Sequence, residues 1–206
     1  MRLGFCTEDE SDEQVYAALV GKVLGEKVEA DPEARVIPRA GGGVDNVLKF
    51  TPKAALVARG RGLAGFVIAF DNDGAVGHVD GHDGLVLQCR WCRLIDSLRS
   101  VDWLDLERPR PSVPICVVAL AVQTMETWLL LARGEALLRA PEERGRTQTD
   151  RRELKRMLYG TADSTARRRV EVALPLVERL EVERMVAASA SFARFMGAVR
   201  RLRVGA

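Results

Sequence analysis

Two carboxylates directly follow a short, wholly apolar stretch of the chain. Asp71 and Asp73 come after the run 66–70, Phe-Val-Ile-Ala-Phe, and Gly74 follows them. This run is too short for a helix and rich in β-forming residues, which predicts a strand buried on both faces of a parallel sheet. Ligands bind at the carboxyl ends of such strands, and two carboxylates at this spacing can share one Mg²⁺. An ordinary turn is the alternative, because Asp, Asn and Gly are the usual turn residues.

A third carboxylate, Glu8, follows a strand predicted at 2–6, and Ser11 is predicted to cap the helix after it. Because the carboxyl ends of parallel strands meet at one edge of a sheet, we expect Glu8 to lie beside Asp71 and Asp73. Such a site supports phosphoryl transfer, in which bound Mg²⁺ or Mn²⁺ neutralises phosphate oxygens and a carboxylate moves the proton. These three residues are the predicted catalytic residues and metal ligands.

Glu126 is a fourth candidate ligand for the same cation. It lies one helical turn beyond a strand predicted at 115–120, on a helix predicted over 121–133. The same helix carries Trp128, so an alternative arrangement packs Trp128 in the core and leaves Glu126 in solvent. The sequence is compatible with both roles.

Both histidines of the chain lie close to two of its four cysteines, which predicts a second metal site. The spacing is His-x3-His-x6-Cys-x2-Cys, formed by His78, His82, Cys89 and Cys92. Two imidazoles and two thiolates complete a tetrahedral structural Zn²⁺ site, and the Gly-rich loop around them has few apolar residues to order it otherwise. In the alternative, the histidines are solvated and the cysteines are half-buried on a helix. A redox pair of cysteines would leave the histidines unexplained.

Apolar periodicity alternates between strands and helices in the first part of the chain, which predicts an α/β fold with a mostly parallel sheet flanked by helices. The predicted strands span 2–6, 34–37, 66–70 and 115–120, and the helices between them span 14–24, 47–59, 85–100 and 121–133. Further helices are predicted at 151–159, 164–180 and 189–202. We therefore expect an α/β domain over 1–140, with its zinc-binding loop at about 74–95, and a helical C-terminal region over 141–206.

The formal net charge of +2 is distributed unevenly along the chain. From Arg139 to the end there are 16 basic and 9 acidic residues, whereas the preceding part has 15 and 20. This asymmetry suits a metal site beside a surface that binds a polyanion such as nucleic acid. One alternative is charge complementarity between two packed subdomains. Another is that the arginine clusters at 144–156 and 167–169 form solvated helix faces.

The chain resembles the Toprim fold of topoisomerases, primases and overcoming-lysogenization-defect (OLD) nucleases. The resemblance is carried by Glu8-Asp-Glu-Ser-Asp12, which precedes a helix, and by the apolar strand that ends in Asp71-Asn-Asp73. It implies a Toprim-like, Rossmann-like sheet in which Glu8 is the general acid or base and the two aspartates hold Mg²⁺. This chain has Asp9 where the family usually has glycine.

Two later segments resemble small Toprim-fold proteins related to OLD-type nucleases, a group often encoded beside ABC-type ATPases in bacterial defence loci. The segments are 122–130, VQTMETWLL, and 189–195, SASFARF. This resemblance implies a Mg²⁺-dependent nuclease, or a nuclease-like subunit, that acts with an ATPase partner in phage defence.

Two other functions fit the same residues. Phe70-Asp-Asn-Asp-Gly74 resembles the nucleophile motif of haloacid-dehalogenase-like phosphatases, although that motif belongs on the first strand and Ala75 replaces the usual Thr. The second is a non-catalytic Toprim-like subunit that docks on an ATPase.

The N-terminal residues lack the apolar segment of a signal peptide, and no apolar run approaches the ~18 residues of a membrane span. We therefore expect a cytoplasmic protein whose cysteines do not form a disulfide framework. Both a monomer and a homo-oligomer are compatible with the composition.

Overall fold

Strands and helices alternate along the first part of the chain, as the periodicity predicts. The structure is a computed structural model, and it describes residues 1–36, 43–71, 88–99, 115–121, 125–135 and 148–202. The strands are β1 (Arg2–Cys6), β2 (Glu29–Val36), β3 (Gly65–Asp71) and β4 (Ile115–Ala121). The helices are α1 (Glu10–Leu24), α2 (Val44–Gly60), α3 (Arg90–Arg99), α4 (Met125–Arg133), α5 (Gln148–Tyr159), α6 (Ala166–Arg179), α7 (Val182–Ala188) and α8 (Ala190–Arg201). The predicted α/β class is confirmed.

The four strands form one parallel sheet in the order β2-β1-β3-β4. β3 pairs with β4 in continuous register up to its last residue, Asp71. β1 pairs with the middle of β3, and its last residue, Cys6, lies opposite Ile68. The chain that leaves β1 therefore passes beside the end of β3, which brings Glu8 to the strand end that carries Asp71.

Helices cover both faces of this sheet at β3. Phe66, Ile68 and Phe70 belong to the core on the side of α2 and α3, whereas Val67 and Ala69 belong to the core on the side of α1. The alternation follows the two-residue repeat of a strand. All five side chains are at most 2% exposed, so the prediction of a strand buried on both faces is confirmed.

The C-terminal helices share one hydrophobic core with α1, α4 and the sheet. Trp128 of α4 packs on Tyr16 of α1 and on Phe192 and Phe195 of α8, with ring centroids 5.3 to 6.2 Å apart. Its indole N–H also donates to Ser191 Oγ at 3.0 Å. The predicted burial of Trp128 is confirmed, and this packing fixes the helix that begins beside β3.

α2 continues through Pro52 because α3 supplies a missing hydrogen bond. Pro52 has no N–H to donate to the carbonyl of Leu48, one helical turn earlier. The hydroxyl of Ser97 on α3 donates to that carbonyl instead, at 3.0 Å. The same contact holds α3 against α2.

β2 begins at Glu29, earlier than the strand predicted at 34–37. The carboxylate of Asp31 accepts hydrogen bonds from the N–H groups of residues 33 and 34, where the pairing with β1 is irregular. Pro32 is tolerated because β2 lies at the edge of the sheet. Burial alone would raise the pKa of Asp31, but its hydrogen bonds with Arg61 and with these backbone groups lower the pKa.

The C-terminal part contains one helix that the periodicity does not predict. α7 has seven residues, and its Met185 is buried against the main core. The predicted domain boundary lies outside the described residues. Among the described helices, none is both long and apolar enough to cross a bilayer.

Gly4 is a test of how closely α2 and β1 approach. A Cβ at Gly4 would lie 2.7 Å from Phe66 Cδ2 and 3.2 Å from Ala58 Cβ. We expect Gly4→Ala to lower the free energy of unfolding by about 1–3 kcal/mol through overpacking. Gly197 on the exposed side of α8 is the control, because a Cβ there meets nothing within 4 Å.

Gly197→Ala should raise the free energy of unfolding by about 0.5–1 kcal/mol, since alanine is the better helix former. Urea unfolding of the two variants measures both effects. A Gly4→Ala protein as stable as the parent would contradict the close contact.

Candidate active site

Asp71 ends β3 and is held by three other segments of the chain. Its backbone N–H donates to Glu8 Oε1 at 3.0 Å, and its Oδ1 accepts from the N–H of Met125 at 2.9 Å. The guanidinium of Arg90 donates to its backbone carbonyl. Met125 and Arg90 are the first residues of α4 and α3. The loop after β1 and the starts of two helices therefore meet at Asp71, one of the predicted metal ligands.

Glu8 reaches this point from the loop between β1 and α1. Its other carboxylate oxygen, Oε2, lies beside the start of α2, 4.0 Å from the position of a Cβ at Gly43. Gly43 has a φ of +82°, a conformation that glycine adopts without strain. A helix start favours a nearby negative charge, so this position suits an ionised Glu8. The structure thus places Glu8 and Asp71 together, as predicted from the parallel sheet.

The negative charges of four carboxylates act on the buried hydroxyl of Tyr16. Burial, followed by the negative charges of Asp71, Asp12, Glu126 and Glu8, raises the pKa of Tyr16 well above its usual range. The hydroxyl has no hydrogen-bond partner within the described part of the chain. We refer to these four carboxylates as the acidic cluster.

One member of the acidic cluster, Glu126, is buried, contrary to the alternative that leaves it in solvent. Glu126 is 3% exposed. Burial and the neighbouring charges of Asp9 and Glu126 raise the pKa of Asp12, while Arg169 opposes them. On α5, burial and the charge of Glu126 raise the pKa of Tyr159. The role of Glu126 as a metal ligand stays a prediction.

Asp9, and not Ser11, is the N-cap of α1. Its carboxylate accepts from the Asp12 N–H at 3.0 Å and from the Ser11 hydroxyl at 2.6 Å. Glycine at this position could make neither contact. The residue that departs from the Toprim pattern therefore fixes the first turn of α1 and, with it, the position of Asp12.

Arg169 of α6 supplies the main counter-charge beside this turn. Its Nη1 lies 2.7 Å from Asp9 Oδ2 and 3.9 Å from Asp12 Oδ1. Its side chain is 19% exposed, and its buried Nε–H has no hydrogen-bond partner in the described ranges. α6 lies along α1, where Lys22 also donates to the carbonyl of Glu178 at 2.6 Å. The C-terminal helices are therefore part of the acidic cluster's surroundings.

Several predicted ligands, Asp73, His78 and His82, lie outside the described residues, so their roles stay predictions. Cys89 and Cys92 lie at the start of α3 and are buried, at 1% and 8% exposure. Burial raises the pKa of the Cys89 thiol.

In the ranges that the structure describes, no group of three or more His, Cys, Asp or Glu side chains is arranged to hold a metal ion. Each predicted metal site includes some residues that the structure describes and some that it does not. Glu8 and Asp71 are described but Asp73 is not, and the same holds for the two cysteines and the two histidines of the zinc site.

Sequence reasoning missed three residues that shape the site: Tyr16, Arg90 and Arg169. Tyr16 is one apolar position of an amphipathic helix in the sequence, and its neighbours in space come from other segments. Arg169 follows two other arginines, and no local signal distinguishes the one that reaches Asp9. The position of Arg90 between two cysteines draws attention to the thiols instead.

No protein family model, curated protein or solved structure matches this chain. Its function is therefore inferred from the geometry of the site and from the sequence patterns.

Arg169→Gln should destabilise the protein more than the same change at Arg167 in the same helix. Arg169 pairs with partly buried carboxylates, whereas Arg167 is 88% exposed and pairs with Glu171 one turn along α6. We expect a loss of about 1–3 kcal/mol for Arg169→Gln and at most about 0.5 kcal/mol for Arg167→Gln. Urea unfolding at neutral pH compares them. Equal losses would show that the contact with Asp9 contributes little.

Proposed function

We propose that this protein is a Toprim-like, metal-dependent nuclease that hydrolyses phosphodiesters with Mg²⁺ or Mn²⁺. The observation that carries the proposal is the 3.0 Å hydrogen bond between Glu8 Oε1 and the N–H of Asp71. It joins the two strand ends on which the predicted chemistry depends. The resemblance to OLD-related proteins adds the proposed setting, a cytoplasmic two-component bacterial defence system with an ABC-type ATPase as partner.

The chemistry of the acidic cluster fits a hard divalent cation. Mg²⁺ takes oxygen ligands, and proteins typically bind it through one or two carboxylates while it keeps several waters. Glu8 and Asp71 would supply these carboxylates, Asp73 a third and Glu126 a fourth. When bound, the cation would neutralise phosphate oxygens and stabilise the charge that develops during hydrolysis.

Glu8, Asp71 and Arg90 meet at the end of β3, and each would have a separate role in the reaction. Glu8 is oriented by the amide of Asp71, so its carboxylate is positioned to take a proton from an attacking water. Asp71 is oriented in turn by the N–H of Met125 at the start of α4. Arg90 donates to the backbone carbonyl of Asp71 and so holds the same strand end.

Glu8→Gln and Asp71→Asn test this site without removing its hydrogen bonds. Each amide keeps an oxygen that can accept from the same N–H, so the charge is lost while the shape is kept. We expect cleavage of plasmid DNA or of RNA to require Mg²⁺ or Mn²⁺ and to fall at least about 100-fold in either variant. Glu10→Gln, a change at an exposed acidic residue at the start of α1, is the matched control and should cleave normally. Cleavage that persists in both site variants would exclude the proposed site.

One observation favours a non-catalytic subunit as the second candidate function. Arg169 already places a cationic group on Asp9 and Asp12, next to Glu8. A protein of this kind would use the acidic cluster structurally and would dock on an ATPase. Calorimetric titration that detects neither Mg²⁺ nor Mn²⁺ binding would favour this candidate over the nuclease.

We also propose a structural Zn²⁺ held by His78, His82, Cys89 and Cys92. The burial of both thiols at the start of α3 supports it, and Arg90 between them would link the zinc site to Asp71. Elemental analysis should find about one zinc per chain, as a four-ligand site requires.

Cys89→Ser should lose this zinc, whereas Cys6→Ser should keep it, because Cys6 is buried in β1. Zinc-free native protein, or equal zinc in both variants, would contradict the proposed site.

A further inference from the structure

The turn between α5 and α6 lies directly beside the acidic cluster. α5 ends at Tyr159, whose ring is buried and whose pKa is raised by that burial and then by the charge of Glu126, a member of the acidic cluster. α6 begins at Ala166, and Arg169 in its first turn contacts Asp9 and also lies 3.9 Å from Asp12 of the acidic cluster. The end of one helix and the start of the next therefore both reach the acidic cluster.

The outer side of this turn is basic. We call it the basic corner, and it is formed by Arg152, Lys155, Arg156, Arg167 and Arg168. The four arginines are exposed and the lysine is partly exposed. The three members on α5 follow an i, i+3, i+4 spacing that continues to Tyr159, so one stripe of the helix leads from the basic corner to the acidic cluster.

Acidic residues offset only part of this charge. Asp163 lies 3.8 Å from Arg152, and Glu171 lies 2.7 Å from Arg167. Glu153 on α5 is the third acidic residue of this surface. The other three basic side chains of the corner have no ion pair among the described residues. The basic corner thus keeps a net positive charge next to the acidic cluster.

We propose that the basic corner binds the phosphodiester backbone of a nucleic acid and holds it at the entrance of the acidic cluster. This inference rests on the proposed function, of which it names the substrate-binding surface. The acidic cluster alone repels a polyanion, so a nuclease built on it needs a neighbouring cationic surface to hold the substrate. Arginine and lysine side chains that neutralise phosphates supply that surface, and their contribution falls with rising salt.

Arg169 marks the junction between the two surfaces. One end of its guanidinium pairs with Asp9, while its buried Nε–H has no partner in the described part of the chain. Its Nη1 also lies 3.9 Å from Asp12 Oδ1, so Arg169 lies where the basic corner meets the acidic cluster.

Charge reversal of Arg156 and Arg168 together is the test. Binding of the full chain to a fluorescent 20-base-pair DNA duplex, and to an RNA duplex of the same sequence, is followed by anisotropy in EDTA between about 50 and 300 mM salt. We expect Arg156→Glu/Arg168→Glu to raise Kd at least about tenfold and to make the slope of log K against log salt less steep by about two, one for each lost phosphate contact. Arg156→Gln/Arg168→Gln removes the two charges without reversing them, and circular dichroism checks that it is folded. It should weaken binding in the same direction as the charge reversal.

Lys53→Glu/Arg59→Glu is the matched control, because these exposed residues lie on α2, which covers the opposite face of the sheet. It should leave Kd within about twofold of the parent and the salt slope unchanged. Equal weakening by both pairs, an unchanged slope in the corner variants, or binding to phosphatidylserine vesicles but to neither duplex would overturn the proposal.

The same data separate this inference from the proposed function. Binding in EDTA needs no divalent cation, so it can depend on the corner even if Glu8→Gln cleaves normally, in which case the nuclease site fails alone. Cleavage that needs Glu8 combined with binding that ignores Arg156 and Arg168 would overturn the basic corner alone.

Discussion

The hydrogen bond from the amide of Asp71 to the carboxylate of Glu8 determines the layout of this edge of the sheet. β1 pairs with β3 only as far as Cys6 and Ile68, so the last amide of β3 on that side extends past its partner strand. A buried amide left without an acceptor costs about 1–3 kcal/mol. The side chain of Glu8 replaces the missing strand carbonyl. The hydrogen bonding of the sheet edge therefore places the carboxylate of Glu8 next to Asp71, which carries the second carboxylate.

Gathering carboxylates in one place is unfavourable unless positive groups balance them. Here the balance comes from helix starts and arginines on several segments. The amide of Met125 at the start of α4 serves Asp71, and Arg169 on α6 serves Asp9 and Asp12. Trp128, packed against α1 and α8, fixes the helix that presents Met125. The acidic cluster thus depends on the C-terminal helices, and truncating them would remove its counter-charge together with part of the core.

Much of the scaffold follows from local patterns. The apolar run before Asp71 predicts a strand buried on both faces, and parallel topology predicts that Glu8 meets it. Local patterns fail where a tertiary partner decides the outcome. Asp9 and not Ser11 caps α1, since its carboxylate accepts from the N–H of Asp12 and Arg169 stabilises its charge. α2 survives its internal proline because a hydroxyl from α3 takes over one hydrogen bond. No spacing rule along the chain anticipates contacts between residues so far apart in sequence.

We propose that the carboxylates of Glu8 and Asp71 bind one divalent cation between them. Anomalous diffraction from a crystal soaked in Mn²⁺ measures this directly. We expect a manganese peak in contact with both side chains, about 2.0–2.3 Å from their oxygens, as for a hard cation on carboxylate ligands. A manganese peak elsewhere on the chain, or electron density that puts Glu8 and Asp71 on separate sides of the sheet edge, would contradict it.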